Sequence, residues 1–310
     1  MSNNKRWGFI INPVAGNGSA NIYLQKIKEI ISQKNLDAPI IFTEKQGQAV
    51  ALTKELLARG YHHIIAVGGD GTFNEVAQNL VGRDDVVFGA VPAGTGNDFI
   101  AILGFQERFK DEDWDIFLNE NTIKMDVGKC NDKYFLNGMG LGFDAQVAAE
   151  NYKSTQKQEV KKGSKAKYLW HIIKTLVTYH EINMQLTTEG TSKKSKSFLN
   201  TISNGKRIAG GLFLTPHALV NDGLLDVCLI QELKFFARLK EQIHVMKKTH
   251  IEDDVVNYFQ TDHLLFEFEK EVPAHLDGEL YFNSRFEISI VPSALNIIFN
   301  PTGQHYFTIR

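Results

Sequence analysis

Val67-Gly68-Gly69-Asp70-Gly71-Thr72-Phe73-Asn74-Glu75 is the stretch whose reading decides the fold. It joins a buried-strand pattern (Ile64, Ile65, Ala66, Val67) to a helical one, with Phe73, Val76, Ala77 and Leu80 at i, i+3, i+4 and i+7. Glycines at 68, 69 and 71 permit a tight turn and let a bulky anion approach the backbone with no Cβ in the way. Thr72 and Glu75 have capping-box spacing, which predicts that the helix starts at Thr72. A glycine loop opening onto a helix N-terminus is a phosphate cradle. Asp70 inside it would repel phosphate unless a metal ion lay between them, so the stretch reads as a nucleotide–magnesium site.

Two further loops repeat the pattern. Val86, Val87, Phe88, Ala90 and Val91 predict a buried strand that ends in Pro92-Ala93-Gly94-Thr95-Gly96-Asn97-Asp98, where Thr95 and Asp98 again have cap spacing. The first strand, Trp7 to Ile11, breaks into Asn12-Pro13-Val14-Ala15-Gly16-Asn17-Gly18. Ligands of an open parallel sheet bind beyond the carboxyl ends of its strands, so three such loops can converge on one crevice. Any one of them alone reads as an ordinary turn. Gly-Gly-Asp-Gly-Thr echoed by Gly-Thr-Gly-Asn-Asp exceeds what turns require.

Strands over 7–11, 39–42, 63–67 and 86–91 alternate with helices over 20–33, 48–59, 73–81 and 97–103, the rhythm of a βαβ sheet. From about Ile123 the period falls to two, in Leu225/Val227/Leu229, Leu264/Phe266/Phe268 and Phe286/Ile288/Ile290. The expected architecture is an α/β Rossmann-like nucleotide domain over 1–125 and an antiparallel β-sandwich over 126–310, the last strand being free to return to the first domain. Helical patterns interrupt the second part at Leu169/Ile172/Ile173/Leu176 and Phe236/Leu239/Ile243/Met246.

At 310 residues and 43% apolar content the chain can bury a large core, and its net charge of −2 gives no basic field for nucleic acid. Cys130 and Cys228 lack metal or redox spacing and read as reduced thiols of a cytoplasmic protein. No apolar run reaches the length of a membrane span, and the one after Lys5 and Arg6 stops at Pro13. Lys153, Lys157, Lys161, Lys162, Lys165 and Lys167 precede Tyr168, Leu169 and Trp170, a candidate peripheral contact for an anionic membrane. The competing reading is a solvated loop with Trp170 in the core. Lys193, Lys194 and Lys196 are expected at a hairpin tip, and a homodimer is compatible with the sequence.

The chain resembles the diacylglycerol-kinase catalytic-domain family, and most closely its small bacterial lipid kinases. The resemblance rests on Gly68-Gly69-Asp70-Gly71-Thr72, Gly94-Thr95-Gly96-Asn97-Asp98, Met125-Asp126-Val127-Gly128 and the run Asn137 to Asp144. It continues through Gly210-Gly211 with Pro216, Leu219-Val220-Asn221-Asp222-Gly223-Leu224-Leu225-Asp226-Val227 and Leu276-Asp277-Gly278-Glu279. In the run from Asn137, Gly138 and Met139 stand where alanine or serine is more usual.

The resemblance implies transfer of the ATP γ-phosphate, with Mg²⁺, to the hydroxyl of a neutral lipid such as diacylglycerol. It implies that Asn12, Thr43, the loop Gly68, Gly69, Asp70, Gly71, Thr72, Phe73 and Asn74, and Thr95 contact the nucleotide. Asp70, Asp98 and Asp126 would hold a catalytic Mg²⁺ through water, and the Leu219 carbonyl, Asp222 and the Leu224 carbonyl a structural one. The general base would come from Glu279, favoured, or Asp277. Asp-Gly is also the strongest hairpin signal, so without the resemblance Asp222-Gly223 and Asp277-Gly278 read as plain turns. The rivals are a soluble-metabolite kinase such as NAD kinase, which shares the first motif, and a nucleotide- or lipid-binding regulator without catalysis. A hydride-transferring enzyme is disfavoured, since no Gly-x-Gly-x-x-Gly follows the first strand.

Overall fold

A computed structural model of the chain describes residues 6–156, 174–208 and 210–309, with the backbone alone for 151–156. The fold divides into two units: Met1–Val127 with Leu219–Gly223 and Val291–Arg310, and Gly128–Ala218 with Leu224–Ile290.

In the first unit β1 (Trp7–Ile11), α1 (Ala20–Gln33), β2 (Ile40–Phe42), α2 (Gln48–Ala58), β3 (His63–Gly68), α3 (Asp70–Ala77), β4 (Val87–Pro92), α4 (Asp98–Ile102) and α5 (Asp111–Leu118) follow in order. Its strands pair in parallel as β2-β1-β3-β4, and Ile297 of a late strand pairs with Phe88 to extend the sheet beyond β4. Ile64, Ile65, Ala66 and Val67 are fully buried, as expected of a parallel strand covered on both faces. α1 buries Ala20, Tyr23, Ile27 and Ile30, one face of a 3.6-residue repeat. The sequence pattern did not mark α5, whose first turn is Asp111, Glu112 and Asp113. It is held by Trp114 and Phe117, and a Cβ on Gly89 in β4 would lie 2.6 Å from the Phe117 ring.

The helix after the glycine loop starts earlier than capping-box spacing predicts. α3 begins at Asp70 and has no side-chain cap at Gly69. Glu75 instead accepts from the backbone N–H groups of Gly47 (2.8 Å) and Ala49 (3.1 Å) at the start of α2. The physical reason is that α2 begins at left-handed Gly47, which offers no side-chain acceptor, so its unpaired amides recruit one across space. Thr95 likewise caps nothing: the residue before α4 is Asn97, which bonds Gly94 and the Glu107 carbonyl.

β5 (Thr122–Cys130) leads from the first unit into the second, where β6 (Lys133–Phe135), β7 (Gly138–Gly142), α6 (Phe143–Gln156), β8 (Asn183–Thr188), β9 (Thr191–Ser203), β10 (Leu225–Gln231), α7 (Phe235–Lys247), β11 (Val256–Thr261), β12 (His263–Leu276) and the early part of β13 (Glu279–Ile298) lie. All pairings here are antiparallel: β11-β10-β9-β7-β12-β13, with β8 joining both β9 and β12. β7, β9, β8 and β12 thus form a closed circuit around a core that includes Phe135, Met139, Ile202, Phe266 and Phe286. A second cluster on the helical side gathers Phe143, Phe198, Ile230 and Val245. Lys193, Lys194 and Lys196 lie within β9 opposite β8, not at the hairpin tip, which is Glu189-Gly190. The turn lies there because Gly190 takes the left-handed conformation. Lys157 to Lys167, with Tyr168, Leu169, Trp170, Ile172 and Ile173, lie outside the described residues, as does the Lys153 side chain. No helix among the described residues is long and apolar enough to cross a membrane.

Candidate active site

In the first unit the ends of β1, β3 and β4 interlock. The Asn12 N–H donates to the Val67 carbonyl (3.0 Å), and the Ala93 and Gly94 N–H groups donate to the Gly68 carbonyl (2.6 and 3.1 Å). Asn12 Nδ2 donates to Thr72 Oγ1 at 3.1 Å. Two glycines are dictated by close approach. A Cβ on Gly94 would lie 2.7 Å from Gly69 Cα, and one on Gly16 would lie 2.1 Å from the Ala93 carbonyl oxygen. The three Gly-rich loops therefore meet, and Thr95 and Gly96 remain exposed on the third. Thr43 donates its N–H to the Ile11 carbonyl (2.9 Å), placing it beside the same strand end.

Asp70 has a structural task in this arrangement. Its carboxylate accepts from the N–H groups of Asp98 (3.1 Å) and Phe99 (3.2 Å), capping α4 and tying the second loop to the third. Phe73 is fully buried against Phe99, and its N–H serves the Gly69 carbonyl, so its side chain belongs to the core. Asn74 accepts from Gln78 Nε2 through Oδ1 (2.8 Å).

Asp126 is buried. Its two oxygens accept from the backbone of Gly223 (2.7 Å) and Ser293 (2.6 Å), and its N–H donates to the Val220 carbonyl. Together with the Val220–Tyr306 and Asn221–Thr308 bonds, this fastens the strap Leu219–Gly223 to the first unit. Asp222 is exposed on the strap, and Leu224 follows it in the second unit. Asp70, Asp98 and Asp126 do not form a trio tight enough for direct ligation. Among the described residues that tightness occurs at Glu241, His244 and Asp253 instead.

The second unit carries the other predicted carboxylates. Asp277 and Gly278, both with positive φ (47° and 86°), make the two-residue turn between β12 and β13. The Asp277 carboxylate accepts three backbone N–H bonds, from Leu136 (2.7 Å), Asn137 (3.0 Å) and Gly138 (3.0 Å). Glu279, half-buried, opens β13 on the far side of the turn.

Three further polar residues come together only in the fold. His275 Nε2 pairs with Asp144 Oδ2 at 3.0 Å, and Gly140 makes room for them, since a Cβ there would lie 1.9 Å from that oxygen. Asp226 is fully buried in β10, where Tyr258 and Gln260 (3.1 Å) of β11 donate to it. Asp144 and Asp226 lie inside the quoted motifs, but their partners come from the fold: the β10–β11 register brings Tyr258 and Gln260 to Asp226, and the β7–β12 pairing sets His275 beside Gly140, next to Asp144. Burial pushes the thiols of Cys130 and Cys228 up to about 12, so both stay protonated and unreactive at neutral pH.

Comparison with known proteins identifies the group. Residues 6–130 match the diacylglycerol kinase catalytic domain, and residues 137–299 match the YegS C-terminal NAD kinase beta sandwich-like domain. A protein of Chromohalobacter salexigens named as a YegS-like lipid kinase is 30% identical over 82% of this chain and 81% of its own length. The diacylglycerol kinase of Bacillus subtilis is 25% identical over 89% of this chain and 90% of its own. A solved structure described as a diacylglycerol kinase from Bacillus anthracis superposes with a TM-score of 0.77 at 25% identity, covering 97% of this chain and 99% of that one. A nucleotide-type α/β unit with a glycine cradle, joined to an antiparallel β unit, is the build of a kinase acting on an alcohol group. The chain belongs to the YegS and diacylglycerol kinase family of lipid kinases.

Proposed function

We propose that this lipid kinase transfers the γ-phosphoryl group of ATP, with Mg²⁺, to the hydroxyl of diacylglycerol, giving phosphatidic acid. The observation that carries the reading is the meeting of three Gly-rich loops at adjacent parallel strand ends, beside the first turn of α3. Backbone N–H groups there suit the phosphates. Asn12, Thr43, Thr95 and the loop from Gly68 to Asn74 supply the nucleotide contacts, Phe73 through its backbone surroundings alone. The diacylglycerol kinase of Bacillus subtilis supports the acceptor.

Phosphoryl transfer calls mainly for positioning and charge neutralisation. Asp70 and Asp98 offer hard oxygen donors that fit Mg²⁺ held through hydration water, and that ion would supply charge neutralisation at the phosphates. Asp70 and Asp126 each have both oxygens on backbone amides, which leaves each carboxylate further lone pairs toward hydration water, so Asp126 belongs to the same set while it fastens the strap. The Leu219 and Leu224 carbonyls with Asp222 make an oxygen set suited to a second, structural Mg²⁺. Glu279 accepts the proton of the acceptor hydroxyl, because three of the roughly four lone-pair sites of Asp277 already serve backbone N–H groups.

An ATP-consumption assay against diacylglycerol, other neutral lipids and NAD, with mass identification of the product, tests the reading. Phosphatidic acid is the expected product. Phosphate on NAD, or on another lipid in preference to diacylglycerol, would overturn it.

A further inference from the structure

The helix α7 turns two charged side chains inward, and they meet different surroundings. Arg238 and Glu241 are both buried. Arg238 pairs with Glu181 at 2.7 Å, and its other nitrogens donate to the carbonyls of Leu233 (3.0 Å) and Leu176 (2.9 Å). Glu241 is only 3% exposed, yet its Oε1 is enclosed with no hydrogen-bond partner among the described residues. Burial, and after it the charge of Asp253, push its carboxyl above the usual glutamate range. A carboxylate so placed is costly unless a cation meets it.

Two further groups converge on the same point. His244 stands three residues after Glu241, which gives Glu241-Gln242-Ile243-His244 the Glu-x-x-His spacing by which one helix face presents metal ligands. Asp253 comes from the turn that follows the helix, and its Oδ2 pairs with His244 Nδ1. That turn is fixed by its backbone: the Asp253 N–H donates to the His250 carbonyl (3.0 Å), and the Asp253 carbonyl accepts from Val256 (2.9 Å). One ligand atom from each of the three residues lies within 4.8 Å of the others. The His244 and Asp253 side chains are 26% and 27% exposed, so an ion can enter from solvent.

We propose that Glu241, His244 and Asp253 bind a divalent transition-metal ion, Zn²⁺ by the chemistry of the set, which clips the end of α7 to the turn leading into β11. One imidazole nitrogen and two carboxylates suit Zn²⁺, whereas Mg²⁺ takes oxygen ligands and keeps much of its water. Three protein ligands leave a fourth position for water on the solvent side. The rival occupant is a proton shared between Glu241 and Asp253. The site lies wholly within the second unit and stands whatever lipid the kinase phosphorylates.

The test uses the full chain, freed of metal with a chelator and titrated with ZnCl₂ or MgCl₂ under calorimetry and thermal melting. Zn²⁺ should bind in a single tight step and raise the melting temperature, since an ion held only by the folded state stabilises it. Glu241→Gln keeps the shape and removes the charge. It should weaken Zn²⁺ binding by about a hundredfold or more, beyond the loss expected of a merely supporting group, and abolish the rise in melting temperature. His244→Ala, at a partly exposed position, should do the same and keeps the test decisive if the buried substitution does not fold. A wild type whose Zn²⁺-loaded and chelated forms melt together would leave the shared proton in place and overturn the proposal. So would Zn²⁺ uptake that survives in the folded variants, which would assign the ion to other histidines among the ten of the chain. A step that the two substitutions remove for Mg²⁺ and not for Zn²⁺ would overturn it as well.

Discussion

The two carboxylates of the Asp277-Gly278-Glu279 turn are given different work by their surroundings, and substitution separates them. Glu279→Gln should lower kcat by ~10²-fold or more with the melting temperature unchanged, because an amide cannot accept the hydroxyl proton. Asp277→Asn should instead cost roughly 1–3 kcal/mol of stability, since an amide side chain cannot serve all three N–H groups of 136–138 as a carboxylate does. Turnover by the surviving folded fraction should stay near wild type. Steady-state kinetics and thermal melts on both variants check this, and the reverse outcome would exchange the two roles. Sequence alone could not divide them. The amides that occupy Asp277 lie about 140 residues away in the chain and become its neighbours only through the pairing of β7 with β12.

The elements most legible in the sequence are those whose signal is local. The βαβ rhythm is carried by short apolar runs bounded by glycine and asparagine, and the structure places β1, α1, α2, β3 and β4 within a residue or so of the pattern. Capping departs from the local spacing because the acceptors act at a distance: Glu75 serves α2 and Asp70 serves α4. Glu75→Ala should therefore destabilise the protein by about 1–2 kcal/mol through loss of two amide partners. Hydrogen exchange should quicken at Gly47 and Ala49 and not in α3; quickening confined to α3 would restore the local box. α5 escaped notice because an acidic front leaves only Trp114 and Phe117 as buried apolar marks. α7 was visible as a helix, but periodicity gives a stripe without saying which way it faces. Burial of Arg238 decided that.

Two properties belong to the whole molecule. His250 is fully buried with Nε2 on the Leu214 carbonyl, and burial holds its pKa below 6.5, outweighing that hydrogen bond and the nearby Asp253, which both act in the opposite direction. The unfolded chain then takes up a proton that the folded one resists, so this contribution to stability is present above about 6.5 and lost as pH falls below it. Melting temperature should decline from pH 7 to 5, and more gently in His250→Gln; parallel profiles would dismiss the histidine. The first unit is also discontinuous. A fragment of residues 1–127 lacks the segments holding Gly223 and Ser293, on which Asp126 depends, and Ile297, which covers the edge of β4. It should show little near-ultraviolet circular dichroism, and a fragment as well ordered as the full protein would contradict that. The same discontinuity sets a timetable on the ribosome. The segment from Val291 onward is made only after the second unit has been synthesised, on the order of ten seconds or more later at bacterial-like rates of roughly 5–20 residues per second. Throughout that wait the nascent nucleotide half carries an unpaired apolar strand edge, open to chaperones and to neighbouring chains alike.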